Sequence, residues 1–503
     1  MDLFQNILFG FQVALQPINL LYCFIGVFIG TLIGVLPGIG PVGTMAILFP
    51  ITFKIAPVTA IIMLAGIYYG AMYGGSTTSI LVNIPGEAAS VVTCLDGYQM
   101  ARQGRAGPAL GIAAFSSFIA GTLSLVGLML LTIPLAEAAL KFGPPEYFAV
   151  MSLGLTLVTY LARQSMIKAL AMAVLGLMLS FIGLDLITGE PRFTYNIPEL
   201  LDGIGVVPLV VGVFGISEVL VNVEIEIQRT TYKARISNLL PTLQDWKDSA
   251  NPILRGSLLG FLIGILPGAG SILASFASYA LEKRCSRTPE KFGSGMIEGV
   301  AGPESANNSA VSGGFIPLFT LGIPSNAIMA LLLGAMLIHG LQPGPMLLSE
   351  HPALFWGVVA SMYVGNFMLL ALNLPLIGLW VQVLKVPYRI LFPLILLFCL
   401  IGSYSLNNST VDVLIMIIFG IVGYFMRKFG YEGAPMVMAF ILGPMWESAL
   451  RQSLLMSKGR FSIFLNRPIS LVAFILTLAL LLSPTLSFIR EKKEVLKVLE
   501  KEE

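Results

Sequence analysis

Residues 256–281 read GSLLGFLIGILPGAGSILASFASYAL. Two apolar halves, 256–266 and 271–281, meet at Pro267–Gly270. Each half is too short to cross about 30 Å of hydrocarbon, and runs of about 10–14 apolar residues suit segments that enter and leave by one face. Proline removes a backbone donor and glycine frees the dihedrals, so the chain can turn there. Basic clusters flank the stretch: Arg229, Lys233, Arg235, Lys247 and Arg255 before it, and Lys283, Arg284, Arg287 and Lys291 after it. Because excess Lys and Arg mark cytoplasmic loops, both ends are expected on the cytoplasmic side, with a hairpin between them. One long kinked helix is the alternative, since this length also crosses with tilt.

The rest of the chain is equally oily. Of 503 residues, 56% are hydrophobic and only 11% charged, against about 25% charged in soluble domains. Apolar runs recur at 58–82, 108–133, 167–187, 203–223, 354–384, 387–403, 411–426 and 469–489. The fold class is an all-α polytopic membrane protein with roughly 10 to 12 passages, re-entrant ones included.

Several activities lack their signatures. There is no Gly-Lys dipeptide for a phosphate loop, no HExxH and no GxSxG. No enzyme, catalytic residue, cofactor or resident metal is therefore expected. His339 reads as a helix-end residue. Cys23, Cys94, Cys285 and Cys399 form no CxxC and read as small buried hydrophobes. No Lys or Arg precedes Lys54, so a secretory signal is not expected.

The chain repeats itself. GVLPGIG at 34–40 returns as GILPGAG at 264–270 (264 − 34 = 230), and YGGSTTSILVNIPGEAAS at 73–90 aligns with SGGFIPLFTLGIPSNAIM at 312–329 (312 − 73 = 239). Doubled patterns of this kind build many secondary transporters. The expected organisation is a first transmembrane repeat over 1–223 and a cytoplasmic linker over 224–252. A second repeat follows over 253–468, then a last helix and charged cytoplasmic tail over 469–503. A basic-free N-terminal side and a basic linker imply that the repeats are of inverted topology.

Three kinds of helix break are expected: LPGxG, the Ile-Pro turns and the turn at Gly302-Pro303-Glu304. Irregular backbone at membrane depth survives only where protein or a watery cavity satisfies it. Its free N–H ends attract anions, and its carbonyls, with Asn, Ser and Thr oxygens, suit Na+. The candidate substrate- or ion-binding residues are therefore Pro37, Gly38, Gly40, Ser76, Thr77, Thr78, Asn83 and Pro85 in the first half. In the second they are Pro267, Gly268, Gly270, Glu304, Asn307, Asn308, Pro324, Ser325 and Asn326. Helix packing by small residues is the bland reading of the same serines and threonines. Glu87 and Asp96 read either as proton or cation sites or as interface residues, and Glu298 as a helix-entry residue. Residues 183–204, with four acids and two prolines, read as an ordered extramembrane loop. No Lys or Arg lies within 298–326, so an anionic substrate would need half-helix N-termini and a co-bound cation, Na+ or H+.

GVLPGIGPVGT (34–44), GLDLITGEPRFT (183–194), EGVAGPESANNSA (298–310), TLGIPSNA (320–327) and IHGLQPGP (338–345) together resemble the large membrane subunit of the bacterial tripartite tricarboxylate transporter family, over roughly residues 15–450. The resemblance implies ion-driven import of citrate-like tri- or dicarboxylates across the bacterial inner membrane. It also implies two partners, a small membrane subunit and a periplasmic solute-binding protein. A passive anion channel and an intramembrane enzyme are the competing readings.

Overall fold

The structure is a computed structural model, and it describes residues 3–36, 40–162, 165–185, 187–224, 239–268, 270–383 and 388–482. The first half contains α1 (Leu3–Ala14), α2 (Pro17–Val35), α3 (Gly40–Thr52), α4 (Pro57–Val82), α5 (Val91–Arg102), α6 (Ala106–Ala139), α7 (Pro144–Tyr160) and α8 (Met166–Ser180). A two-residue antiparallel pair, β1 (Gly183–Leu184) and β2 (Pro191–Arg192), lies in the loop that follows. Then come α9 (Val206–Val210), a π-helical stretch over Val211–Ile216 and α10 (Ser217–Glu224). The second half begins with α11 (Leu243–Ile265), α12 (Gly270–Cys285), α13 (Glu298–Leu321) and α14 (Ala327–Ile338). It continues with α15 (Leu347–Glu350), α16 (Pro352–Asn373), α17 (Ile377–Val383), α18 (Tyr388–Asn407), α19 (Thr410–Lys428), α20 (Gly433–Met456) and α21 (Ile463–Asn466). An apolar helix, α22, spans Pro468–Leu482.

Among the described residues, six helical spans are long and apolar enough to cross a membrane: Pro17–Val35, Pro57–Val82, Ala106–Ala139, Val206–Glu224, Pro352–Asn373 and Thr410–Lys428. Six shorter apolar helices accompany them. The protein is thus an all-α polytopic membrane protein, as its composition implies.

Glycines four apart share one helix face, and here they set the central packing. Gly26, Gly30 and Gly34 of α2 lie on Met63, Ile67 and Ala71 of α4; a Cβ added at any of the three would stand 2.3–2.5 Å from the partner's carbonyl oxygen. Gly256, Gly260 and Gly264 of α11 lie the same way on Gly302, Ala306 and Ala310 of α13, at 2.2–2.4 Å. Small residues let helix backbones approach this closely. In both pairs the partners ascend together, so the helices run parallel. The contacts superpose under the two sequence offsets: 26 with 63 becomes 256 with 302, and 34 with 71 becomes 264 with 310. Gly40 and Gly270, which open α3 and α12, share a left-handed backbone (φ +64° and +57°).

Residues 256–281 form a hairpin rather than one kinked helix. Arg255, at one end of the stretch, makes a two-pronged ion pair with Glu282 at the other, its Nε 3.0 Å from Oε1. Such a contact requires α12 to return alongside α11. The tip turns at Gly268 (φ +83°), where a Cβ would lie 2.8 Å from Val158 Cα, so it is seated against the end of α7.

The α4–α13 crossing has the opposite sense. Ser76, late in α4, meets Glu304 early in α13, whereas Tyr68, earlier in α4, meets Asn326 just beyond the end of α13. The two central helices therefore run antiparallel.

Two expectations need correction. Gly302-Pro303-Glu304 is not a break: α13 is continuous from Glu298 to Leu321 with Pro303 and Pro317 inside it. A proline costs the helix one internal hydrogen bond and crowds the carbonyl four residues back. Here that residue is Gly299, and packing against α6, α11 and α12 holds the helix together. The polar stretch before residue 253 is also not all linker. Thr242 and Asp245 form a capping box that starts α11 at Leu243, and Arg105, which precedes α6, ion-pairs with Asp245. Residues 225–238 and the tail 483–503 lie outside the described residues.

Side-chain contacts tie the loop after α8 to α20. Asp185 accepts from the N–H groups of Ile187 (2.8 Å) and Thr188 (3.0 Å) and pairs with Arg451 of α20 (2.7 Å). Arg192 makes a two-pronged pair with Glu447 (2.7 and 3.1 Å).

Candidate functional site

The centre of the molecule lies where α4, α5, α6 and α13 meet. Glu304 on α13 is fully buried (0% exposed). Its carboxylate accepts from three hydroxyls: Ser76 of α4 (2.6 Å), Thr93 of α5 and Ser117 of α6 (3.4 Å). Asn308, one turn on, donates to Ser117 Oγ (2.7 Å) and to the Glu304 carbonyl (3.0 Å). A chain of polar contacts thus runs from Asn308 through Ser117 to Glu304. These side chains present hydrogen-bonding oxygens without a formal positive charge.

Asn307 faces a second carboxylate. Its Nδ2 lies 3.4 Å from Glu87 Oε1, while its Oδ1 is buried without a partner. Glu87 Oε2 accepts from Ala89 N–H (2.6 Å) and caps the short helical turn after the first Ile-Pro turn. Asn326 does the same after the second: its Oδ1 accepts from the N–H groups of Ile328 and Met329 (both 3.0 Å), and its Nδ2 donates to Tyr68 OH (2.9 Å).

These contacts are paired by the repeat. Asn307 matches Tyr68 and Asn326 matches Glu87 under the same offset (307 − 68 = 239; 326 − 87 = 239). Asn307 with Glu87 and Tyr68 with Asn326 are therefore one contact made twice, once by each half reaching into the other. The caps of the central helices match as well. Asn83 ends α4 and Gly322 ends α13, both left-handed (φ +57° and +69°), each just before an Ile-Pro turn. A left-handed residue is the usual way to close a helix C-terminus.

A small cavity of about 10 Å³ is lined in part by Ser76 and Ser117, two of the residues that donate to Glu304; it is on the scale of one water-sized sphere. Its polar lining is Tyr73, Ser76, Thr77, Ser117 and Asn373. Asn373 donates to the Leu369 carbonyl (2.9 Å) through Nδ2, and its Oδ1 has no partner. Tyr73 OH donates to Asn366 Oδ1 (2.5 Å).

The residues expected at the site divide into groups. Ser76 and Asn308 gather at Glu304, and Ser76 and Thr77 line this cavity. Asn307 and Asn326 form the paired contacts. Thr78 instead donates to the Val35 carbonyl (2.7 Å) and finishes α2. Asn83, Pro85 and Pro324 shape the two turns, and Gly40 and Gly270 open α3 and α12. Pro267 and Gly268 form the hairpin tip, where Gly268 N–H donates to the Ser325 carbonyl (2.8 Å). Ser325 Oγ is buried without a partner. Pro37 and Gly38 lie outside the described residues.

Asp96 does not join the centre. It accepts from Tyr279 OH (2.9 Å) and from the backbone N–H groups of Gly293, Gly295 and Met296, fixing the loop before α13. Glu298 is the first residue of α13, a helix entry as expected. The N-termini after both Ile-Pro turns carry the Glu87 and Asn326 caps.

Sequence reading missed Tyr68, Tyr73, Thr93, Ser117 and Asn373. Extending the repeat alignment to position 307 would have found Tyr68. Thr93 and Ser117 carry no local signal, because a helical hydroxyl usually bonds its own backbone.

Fold and site together define a multi-pass membrane protein whose polar centre is assembled from two like halves. The chain belongs to the tripartite tricarboxylate transporter TctA family, which matches residues 20–438, and is thereby a tripartite tricarboxylate transporter subunit. It is 51% identical over 494 residues, 98% of both chains, to the "Uncharacterized 52.8 kDa protein in TAR-I ttuC' 3'region" of Agrobacterium vitis. It is 50% identical over 235 residues, 47% of this chain and 97% of the relative, to the "Uncharacterized protein in TAR-II ttuC' 3'region" of the same organism. No solved structure matches the chain.

Proposed function

We propose that this protein is the substrate-carrying subunit of a secondary active transporter. In this reading it imports small organic carboxylates, of the citrate-like tri- or dicarboxylate class, across the bacterial inner membrane. Na+ or H+ provides the coupling. A small membrane subunit and a periplasmic solute-binding protein complete the system.

The observation that carries the reading is the contact made twice, Asn307 with Glu87 and Tyr68 with Asn326. Two halves that run antiparallel through their central helices and exchange equivalent contacts support an inverted repeat. In such carriers the substrate and coupling ion bind where the halves meet. Buried carboxylates at that place repel an anion unless a cation accompanies it. The same physics supports cation-coupled symport over a passive anion channel. On this reading the linker over 224–252 and the C-terminal tail face the cytoplasm.

The test is uptake into proteoliposomes containing the protein with its small subunit and binding protein. Labelled citrate, other di- and tricarboxylates and a monocarboxylate are supplied under an imposed Na+ gradient, a pH gradient or neither. Accumulation against the carboxylate gradient, only when an ion gradient is imposed, is expected. Equilibration at the same rate without any ion gradient would favour the channel.

A further inference from the structure

We propose that the cavity bounded by Ser76, Thr77, Ser117 and Asn373 is a sodium site, and that Glu304 supplies its counter-charge one atom behind the ligating hydroxyls. This assignment rests on the carrier reading above and names the coupling ion and its ligands.

Three observations carry it. Glu304 is buried and accepts from three hydroxyls. Three hydroxyl donors can satisfy an ionised carboxylate, which accepts only. Leaving that charge buried without a positive partner is costly, and no Lys, Arg or His is among the hydrogen-bonding partners described for its side chain.

Next, the cavity is lined by the residues that carry two of those three hydroxyls, Ser76 and Ser117. A hydroxyl that gives its proton to a carboxylate keeps oxygen lone pairs for another partner. Glu304 therefore draws the Ser76 and Ser117 protons towards itself and leaves oxygen lone pairs for a cation, one of those on Ser117 already accepting from Asn308.

Finally, Asn373 lines the same cavity from α16, is only 5% exposed and has an Oδ1 without any partner. Its Nδ2 is committed to the Leu369 carbonyl, which fixes the amide orientation and leaves the oxygen available. A buried acceptor left unmatched is destabilising, and a cation removes that cost. Oxygen-only ligands suit a hard cation. One carboxylate balances a single positive charge, whereas divalent ions usually draw on several carboxylates or many waters. A void of about 10 Å³ is on the scale of one water or a small ion.

The experiment is thermal unfolding of the purified full-length protein in choline chloride, titrated with NaCl or KCl at constant ionic strength. The melting temperature is expected to rise saturably with Na+ and not with K+, because a ligand of the folded state raises its apparent stability. Asn373→Leu should abolish the Na+ response while melting near wild type in choline; Asn373→Asp should keep it. Glu304→Gln should weaken the apparent Na+ affinity by ~10- to 100-fold, as loss of a group supporting the ligands does. A wild-type melt indifferent to Na+, or a wild-type Na+ response in Asn373→Leu, overturns the site. Uptake driven by a pH gradient without Na+ would remove the sodium assignment and leave the carrier standing. A Na+-specific shift in a protein that moves no carboxylate would keep the site and remove the carrier.

Discussion

Glu87 and Asn326 occupy the same place in the two halves of the chain, and each side chain accepts backbone N–H groups at the start of the helix that follows an Ile-Pro turn. One is a carboxylate and the other an amide, so the halves are alike in shape and unlike in charge. That asymmetry sits at the meeting point of the halves, next to Asn307 and Tyr68.

Replacing the amide tests its two jobs separately. Asn326→Ala removes a helix cap, which costs about 0.5–2 kcal/mol, and also the donor to Tyr68. Asn326→Asp keeps the cap and loses the Nδ2 donor. The alanine variant is expected to melt lower and transport poorly, and the aspartate variant to melt near wild type. Paired thermal unfolding and proteoliposome uptake measure both.

Asn308→Ala and Gly268→Ala should each abolish uptake while membrane insertion persists. The first removes the donor that holds Ser117 beside Glu304. The second places a Cβ 2.8 Å from Val158 Cα at φ +83°, a left-handed backbone that costs a non-glycine residue about 1–2 kcal/mol. Protein amount in the membrane fraction, measured beside uptake, separates lost function from lost protein.

The Arg255–Glu282 pair closes the open end of the α11–α12 hairpin. Arg255→Ala leaves the buried Glu282 carboxylate without its partner and should destabilise by about 1–3 kcal/mol. Adding Glu282→Gln should recover most of that loss, since the stranded charge is gone. A double-mutant cycle on the melting temperature decides it.

Asp185 gives the 183–204 loop a pH signature. The Thr188 N–H, the Arg451 guanidinium and the Ile187 N–H hold its carboxyl well below the usual carboxylate range. A depressed folded value means that its contribution is complete above the unfolded value of about 3.9 and is lost as pH falls through the folded one. Protection of the 183–204 loop, followed by hydrogen exchange corrected for intrinsic rates, should be constant from pH 7 to about pH 5 and fall only below about pH 4. Asp185→Asn should loosen the loop already at neutral pH.

Much of this architecture was legible in the sequence because glycine and proline act locally. The left-handed residues at Gly40, Gly268, Gly270 and Gly322 fall within or beside the LPGxG and Ile-Pro motifs. The hairpin was foreshadowed by basic residues on both sides of 256–281, though only the Arg255–Glu282 contact excludes a kinked helix. Pro303 misled because a proline breaks a helix only when nothing else holds it, and α13 is gripped from several sides. Thr93, Ser117 and Asn373 were hidden for a related reason. Each is a small polar residue in an apolar run, and its neighbours come from helices distant in sequence.

The glycine stripes also govern how the molecule can deform. Where α2 lies on α4 and α11 on α13, main chain rests on main chain, with no side chain between to flex or repack. Each pair is therefore a girder. The meeting of α4 and α13 is of another kind: hydroxyls and amides join there, and they can trade one oxygen for another without stranding a peptide group.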